Sequence, residues 1–311
     1  MLLYECICFE GEVMIGTLAV IVLVVIIMLL AAALWLASLT MAKGKRQTLE
    51  EAFEWQSEHY DTSFYSRVEK TDYTVRGEGG YLLHVQLLKN PKACGKYVII
   101  THGYTDNRMG ALKYAAIYLD LGYNCIIYDL RGHGENAKAF TTYSILEAKD
   151  LASLIADTRF RYTDITQLGL HGESLGAATM VTSLQYAADK VDFAIADCGF
   201  SDIENVLRCA YRKMHLPGFL VDLADMGAKL RYHYSLKDMR PADSLDDNHV
   251  PVMFIHGADD SLIPPKNSQD MYDRTKGKKE IHLIPGAEHA VSVLTDPVSY
   301  RRYMESFLEQ L

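Results

Sequence analysis

The chain has 311 residues, of which 49% are hydrophobic and 23% are charged, and this composition excludes disorder as its main state. Its 31 Lys and Arg side chains are outnumbered by 40 Asp and Glu side chains, which gives a net charge of -9. Nucleic-acid affinity depends largely on neutralising phosphates, and this acidic chain has no basic stripe. We therefore expect no nucleic-acid partner.

The first long pattern along the chain is an apolar run over residues 13–42, which contains no charged side chain. About 20 apolar residues cross a bilayer core as a helix, so this run is long enough. It is too long for a secretory signal peptide, and the residues before it are acidic where such a peptide needs a basic segment. We predict a transmembrane anchor over 13–42, after a short N-terminal tail over 1–12.

The predicted anchor is followed by a basic juxtamembrane segment and a linker helix over 43–69. Because Lys43, Lys45 and Arg46 follow the span and no basic residue precedes it, the positive-inside rule puts the body in the cytoplasm. An extracytoplasmic body is the alternative, and the chain could start at Met14. The linker pattern favours either an interfacial helix or an amphipathic helix that covers the body.

Beyond residue 70 the pattern alternates between short apolar runs and longer helical segments. Such alternation predicts an α/β domain over 70–311, with a mostly parallel sheet and flanking helices. The eight predicted strands are 72–76, 81–88, 97–101, 124–128, 167–171, 193–197, 252–256 and 280–284. The predicted helices are 111–121, 146–160, 175–188, 266–275 and 297–311. A strand-free stretch of about 200–247 is interpreted as a helical cap insertion.

A serine between two glycines follows the fifth predicted strand, in Gly172-Glu-Ser-Leu-Gly176, and a helix follows it. This arrangement is typical of a nucleophile held on a sharp strand-to-helix turn, with its Oγ exposed. We predict that Ser174 is the nucleophile. Glu173 is expected to pair locally and is given no role.

A serine hydroxyl needs an adjacent base, and the base needs a carboxylate to orient it. His289 follows the last predicted strand and Asp260 follows the strand before it. The order Ser174, Asp260, His289 is the one expected of this topology, with each residue after a different strand. We predict these three as the catalytic residues.

Several neighbouring residues receive supporting or structural roles. The backbone N–H groups of Tyr104 and Leu175 are predicted to form an oxyanion hole. In the loop after the fourth strand, Asp129 and Arg131 are interpreted as a pair that supports the site. Four other histidines beside glycines are expected to be hydrogen-bonded structural residues: His102, His133, His171 and His256.

No metal and no cofactor are expected. The six cysteines contain no C-x-x-C pair, and the eleven histidines contain no H-E-x-x-H spacing. The predicted triad also supplies its own nucleophile and base. Cys125 and Cys198 are interpreted as packing residues.

Together these motifs resemble the ordered motifs of the α/β-hydrolase superfamily. They are His102-Gly103, Asp129-Leu-Arg-Gly-His-Gly134, Gly172-Glu-Ser-Leu-Gly176, His256-Gly-Ala-Asp-Asp260 and Gly286-Ala-Glu-His289. Within the superfamily the chain is most similar to the serine-hydrolase branch of membrane-anchored lipases, acyl-protein thioesterases and prolyl-aminopeptidase-like enzymes. The resemblance implies Ser174 as nucleophile, His289 as base and Asp260 as acid, with Asp259 as the alternative acid.

Three hypotheses follow. The first is a membrane-anchored serine hydrolase that cleaves ester or thioester bonds of a small-molecule or lipid acyl substrate. The second is an aminopeptidase-like enzyme with the same triad, whose cap acids would bind a substrate amine: Glu204, Asp222 or Asp225. The third is an inactive, membrane-tethered binding protein. The sequence does not determine the oligomeric state.

Overall fold

The computed structural model describes residues 2–92 and 95–311, with side chains from residue 14 onward. Of the six cysteines, Cys94 therefore lies outside the described residues, as do the side chains of Cys6 and Cys8. Cys125, Cys198 and Cys209 are free thiols, and the first two are buried.

An eight-stranded sheet forms the centre of the body, in the order β1-β2-β4-β3-β5-β6-β7-β8. β2 pairs antiparallel with β1 and β4, and the remaining pairs are parallel. The strands are β1 Glu69–Arg76, β2 Leu82–Lys89, β3 Lys96–Thr101, β4 Asn124–Tyr128, β5 Gln167–Glu173, β6 Phe193–Asp197, β7 Val252–Gly257 and β8 Lys279–Ile284. The predicted α/β class and mostly parallel eight-stranded sheet are confirmed.

Helices cover both faces of this sheet, which accounts for the fully buried central strands β4 and β6. The helices are α1 Leu2–Met41, α2 Leu49–His59, α3 Leu112–Asp120, α4 Ile145–Arg161, α5 Leu175–Ala187, α6 Ile203–Lys213, α7 Phe219–Tyr232, α8 Lys266–Arg274, α9 Ser292–Thr295 and α10 Pro297–Glu309. α6 and α7 occupy the predicted cap insertion.

α1 is a single helix that also includes residues 2–12, which the sequence predicts as a separate tail. Its residues 14–41 are long and apolar enough to cross a membrane. The exposure of its side chains changes along the helix. Residues 14–30 are exposed, whereas Ala33, Leu36, Ala37 and Met41 are buried against the body.

α2 lies on the body and corresponds to the second of the two predicted linker arrangements. It begins with a capping box, in which Thr48 and Glu51 satisfy each other's backbone N–H groups. Its residues Ala52 and Gln56 are buried. The segment before α2 is also fixed, because the Gln47 N–H donates to the Thr105 carbonyl at 2.9 Å.

Candidate active site

Ser174 lies on the turn between β5 and α5, with φ 54° and ψ −114°. Positive φ is costly for a residue with a side chain, so the surrounding structure must hold this conformation. The Ser174 N–H donates to the Asp197 carbonyl at 2.8 Å. Gly176 lies against the carbonyls of Thr101 and His102 and leaves no space for a Cβ. The glycine of the motif therefore allows α5 to approach β3.

The structure brings the three predicted catalytic side chains together. Ser174 Oγ is 2.9 Å from His289 Nε2, and His289 Nδ1 is 2.7 Å from Asp260 Oδ2. Ser174 follows β5, Asp260 follows β7 and His289 follows β8, so the carboxyl ends of three parallel strands position them. Asp259, the alternative acid, is exposed.

The Asp260 carboxylate is buried and accepts several hydrogen bonds. Its Oδ1 accepts from the N–H groups of Leu262 and Ile263 at 2.9 and 2.8 Å. Its Oδ2 faces His289 and lies 3.2 Å from His256 Nε2. Burial by itself raises the pKa of Asp260, but the hydrogen bonds from His256 and His289 outweigh it and hold the pKa well below its usual range. The group is therefore an anion when it orients His289.

Two backbone N–H groups beside Ser174 have no partner among the described residues: those of Tyr104 and Leu175. Leu175 is the first residue of α5, where N–H groups lack an intrahelical acceptor. A Cβ atom added to Gly103, the residue before Tyr104, would lie 3.6 Å from Ser174 Cβ. Both predicted donors thus lie at the nucleophile, and their role in catalysis stays a prediction.

The four other histidines beside glycines are buried and hydrogen-bonded. His102 accepts from the Leu130 N–H at 2.9 Å and donates to the Gly103 carbonyl at 2.7 Å. His256 contacts Ser268 Oγ at 2.7 Å and the Ile263 carbonyl at 2.8 Å. Burial lowers the pKa of His102 to about 4, and lowers those of His133 and His171 to about 3. These three are neutral at pH 7.

The predicted pairing of Asp129 with Arg131 is wrong. Asp129 binds Arg108 at 2.5 Å, and Arg131 binds Asp150 at 2.7 Å. The turn that follows β4 directs the two side chains apart. Each therefore finds its partner on another element.

Glu173 does not pair locally as predicted. Its carboxylate pairs with Lys113 of α3, and both side chains are buried. The Tyr114 hydroxyl lies 2.6 Å from Glu173 and 2.9 Å from the buried carboxylate of Asp197. The sequence analysis does not predict this cluster, although Lys113 is the only basic residue in the mostly apolar helix α3 and was an available signal.

A cleft of about 380 Å³ opens beside Ser174 and His289. Its walls include Gln47 and Trp55 from the segment that follows α1, together with Leu262 and Val291, and its polar residues include Asp106, Lys113 and Glu173. None of its lining residues comes from α6 or α7. The two helices of the cap therefore do not line this cleft, whereas α2 contributes Trp55 to its wall.

The cap acids of the aminopeptidase hypothesis do not face this cleft. Glu204 and Asp222 both bind Arg208, and Asp225 binds Lys229 at 2.8 Å. Their charges are thus compensated within the cap.

Among the described residues, three possible metal ligands lie close together at one place: Cys198, Asp260 and His289 each have one ligand atom within 4.8 Å of the other two. Burial raises the pKa of Cys198 well above its ordinary value, so it stays a thiol. The other two residues already bind each other. These groups therefore fit a hydrogen-bonded catalytic pair better than a metal ligand set.

Comparison with known proteins adds sequence and structural relatives. A model of the prolyl oligopeptidase family matches residues 110–311. The uncharacterized protein YqkD of Bacillus subtilis is 33% identical over 280 residues, which cover 86% of this chain and 89% of YqkD. The lysophosphatidylserine lipase ABHD12 of Danio rerio is 24% identical, over 60% of this chain and 48% of the lipase.

The solved structures show the same fold. The Pyrococcus furiosus esterase Pf2001 superposes with a TM-score of 0.70 at 20% identity, covering 87% of this chain and 98% of the esterase. The esterase of Exiguobacterium antarcticum superposes with a TM-score of 0.58 at 17% identity, covering 77% of this chain and all of the esterase. The body therefore has the α/β-hydrolase fold.

Proposed function

Since this chain belongs to the prolyl oligopeptidase family of hydrolases, we propose that it is a membrane-anchored serine hydrolase that cleaves ester or thioester bonds of acyl substrates. The observation that carries the proposal is the hydrogen-bonded line from Ser174 Oγ through the His289 ring to Asp260. This geometry is the one that serine acyl transfer requires.

In the proposed mechanism Ser174 Oγ attacks the carbonyl carbon while His289 Nε2 takes its proton. The N–H groups of Tyr104 and Leu175 stabilise the oxyanion of the tetrahedral intermediate. His289 then gives the proton to the leaving alcohol or thiol, which departs and leaves an acyl-serine. Water deprotonated by His289 attacks the acyl group, and His289 then returns the proton to Ser174 Oγ as the carboxylic acid departs. Asp260 stabilises the imidazolium in both halves of the reaction.

An acyl ester is favoured over other substrates by the relatives and by the cleft. One curated relative is a lysophosphatidylserine lipase, and several solved relatives are esterases. Trp55, Leu262 and Val291 give the cleft apolar walls for an acyl chain. Its polar residues suit a substrate with a polar head group.

The anchoring part of the proposal depends on α1. We assign residues 13–42 to the anchor, 43–69 to the juxtamembrane segment and linker, and 70–311 to the hydrolase domain. Residues 14–30 of α1 expose apolar side chains on all sides, which is costly in water and favourable in a bilayer. Lys43 and Lys45 after the span favour a cytoplasmic body.

The test is labelling of the detergent-solubilised full chain with a fluorophosphonate, which reacts with activated serines. We expect labelling at Ser174 that is lost in Ser174→Ala and His289→Ala, with Ser183→Ala as the control variant. An acyl-ester panel then defines the substrate. Absence of labelling in folded protein would contradict the proposal and favour an inactive binding protein.

A serine aminopeptidase is the second candidate, because the matching family is named for an oligopeptidase and two carboxylates line the cleft, those of Asp106 and Glu173. Burial and the nearby Glu173 raise the pKa of Asp106 to about 6. Because this value is still below 7, the Asp106 carboxylate is mostly ionised at pH 7. Aminoacyl-anilides test this candidate. Their turnover at a higher kcat/KM than that of p-nitrophenyl acyl esters would favour the peptidase.

A further inference from the structure

The end of α1 is fixed to the loop before α4 and to helix α7 of the cap. Thr141 N–H donates to the Met41 carbonyl at 2.8 Å, and the Tyr143 hydroxyl donates to the Thr40 carbonyl at 2.6 Å. Ala33 and Ala37 are buried against α7, where Gly227 leaves no space for a Cβ. Close contact of small residues packs two helices tightly. The body is therefore held in one orientation relative to α1.

α7 runs in the same direction as α1. Gly227 lies against Ala33 and Ala37, whereas Tyr232, five residues further along α7, reaches Ser38 at 3.4 Å. The start of α7 at Phe219 therefore points back toward the exposed apolar part of α1. Trp35, five residues beyond that part, is 57% exposed, and tryptophan favours the membrane–water interface.

The turn between α6 and α7 together with the first residue of α7, residues 214–219, is here named the cap tip. Met214 and Phe219 are 65% and 62% exposed, and Leu216 between them is 38% exposed. Arg212 and Lys213 form the last turn of α6 directly before the tip. Exposed apolar side chains beside basic ones match the apolar and anionic layers of a phospholipid surface.

The cap tip also adjoins the cleft. The Lys213 ammonium donates to the Ser261 carbonyl, which lies between Asp260 and Leu262. Leu262 is 54% exposed and lines the cleft. The residue directly before the tip thus contacts the loop that carries Leu262 at the cleft.

From these contacts we propose that the cap tip inserts into the surface of the bilayer that holds α1, so that acyl substrate enters the cleft directly from the membrane. The inference rests on the anchoring part of the proposed function. What it adds to that proposal is an orientation of the body. α7 packs alongside α1 and directs Met214, Leu216 and Phe219 toward the lipid. The adjoining cleft opens on the same side.

The test replaces single residues of the full chain by the photo-crosslinker p-benzoylphenylalanine, in nanodiscs of phosphatidylglycerol and phosphatidylethanolamine. The positions are Phe219 in the tip, Leu23 in α1, and Phe160 as the matched control. Phe160 is an aromatic residue that is 86% exposed. It lies near the end of α4, which leads into β5, and therefore at the opposite edge of the sheet from Ser174.

We expect phospholipid adducts at positions 219 and 23 and none at 160. Adducts at 23 without adducts at 219 would overturn this inference alone. No adduct at 23 would show that α1 is outside the bilayer, which overturns the anchoring proposal and this inference with it. Crosslinks from 219 to a second copy of the chain would identify a protein interface and contradict the proposal.

A kinetic test uses Phe219→Glu with Phe160→Glu as its control. For Phe219→Glu we expect an about tenfold lower kcat/KM on a long-chain ester embedded in vesicles, because an apolar contact with lipid is replaced by a charge. Turnover of a water-soluble short-chain ester should be unchanged, since the tip does not contact Ser174. Equal losses on both esters would contradict membrane delivery.

Discussion

The ammonium group of Lys113 pairs with the carboxylate of Glu173, the residue immediately before Ser174. Both side chains are buried, at 3% and 7% exposure. Burial by itself lowers the pKa of Lys113, but the Glu173 carboxylate outweighs it and raises the pKa above the ordinary value. This ion pair connects α3 to the turn that holds the nucleophile.

We predict that Lys113→Met lowers the free energy of unfolding by about 3–5 kcal/mol, because it leaves a buried carboxylate without its cation. Lys149→Met is the matched control, since Lys149 pairs with Glu78 at 3.2 Å on the surface. The control should lose no more than about 1 kcal/mol. Urea unfolding measures both, and equal losses would contradict the prediction.

Asp197 gives the body a pH-dependent stability. Its Oδ2 accepts hydrogen bonds from the Tyr114 and Tyr300 hydroxyls, both at 2.9 Å, while its buried Oδ1 has no partner among the described residues. Burial and the nearby Glu173 raise the pKa of Asp197 to about 6 in the folded state. The folded state therefore binds this proton more tightly than the unfolded state, whose pKa is about 4.

The contribution of Asp197 to stability is thus fully present below pH 4 and is lost as the pH rises through 6. Asp197→Asn keeps the shape and does not titrate. As the pH rises from 4 to 7, we expect the free energy of unfolding of this variant to rise relative to that of wild type by up to about 3 kcal/mol. Urea unfolding at several pH values measures the difference, with the exposed Asp189→Asn as control. A constant difference across this pH range would refute the prediction.

Asp260 and Asp259 are neighbours with different environments, which makes them a matched pair. In Asp260→Asn the amide group would face His289 Nδ1 with a donor and favour the wrong tautomer of the ring. We expect kcat to fall about ten-thousandfold, as for triad carboxylates in general. Asp259→Asn should retain wild-type turnover of an acyl ester. A larger loss in Asp259→Asn would reassign the acid.

Gly227→Ala tests the packing of the anchor on the cap. Replacing glycine by alanine inside a helix ordinarily stabilises it by about 1 kcal/mol. Here the added methyl group would overlap the Ala33 carbonyl, so we expect the free energy of unfolding to fall by about 1–3 kcal/mol. Gly16→Ala in α1, with no atom within 4 Å of the new methyl, is the control. Thermal unfolding in detergent measures both, and a Tm for Gly227→Ala at or above wild type would contradict the packing.

The sequence alone determined the sheet and the order of the candidate catalytic residues. All eight strands were predicted within three residues, because short apolar runs between turn residues are a local property of the chain. The sequence predicts Ser174, Asp260 and His289 at strand ends for the same reason, since each follows a strand in a short motif. The N-terminal apolar run was likewise visible from composition.

Only the tertiary structure decided which distant groups meet. The partners of Asp129, Arg131 and Glu173 depend on how turns direct side chains toward residues 19 to 60 positions away, which local patterns do not encode. The same holds for the cleft wall, to which α2 contributes Trp55. The parallel packing of α7 on α1 joins residues almost 200 positions apart. Such contacts arise from the packing of whole helices, which short sequence motifs do not specify.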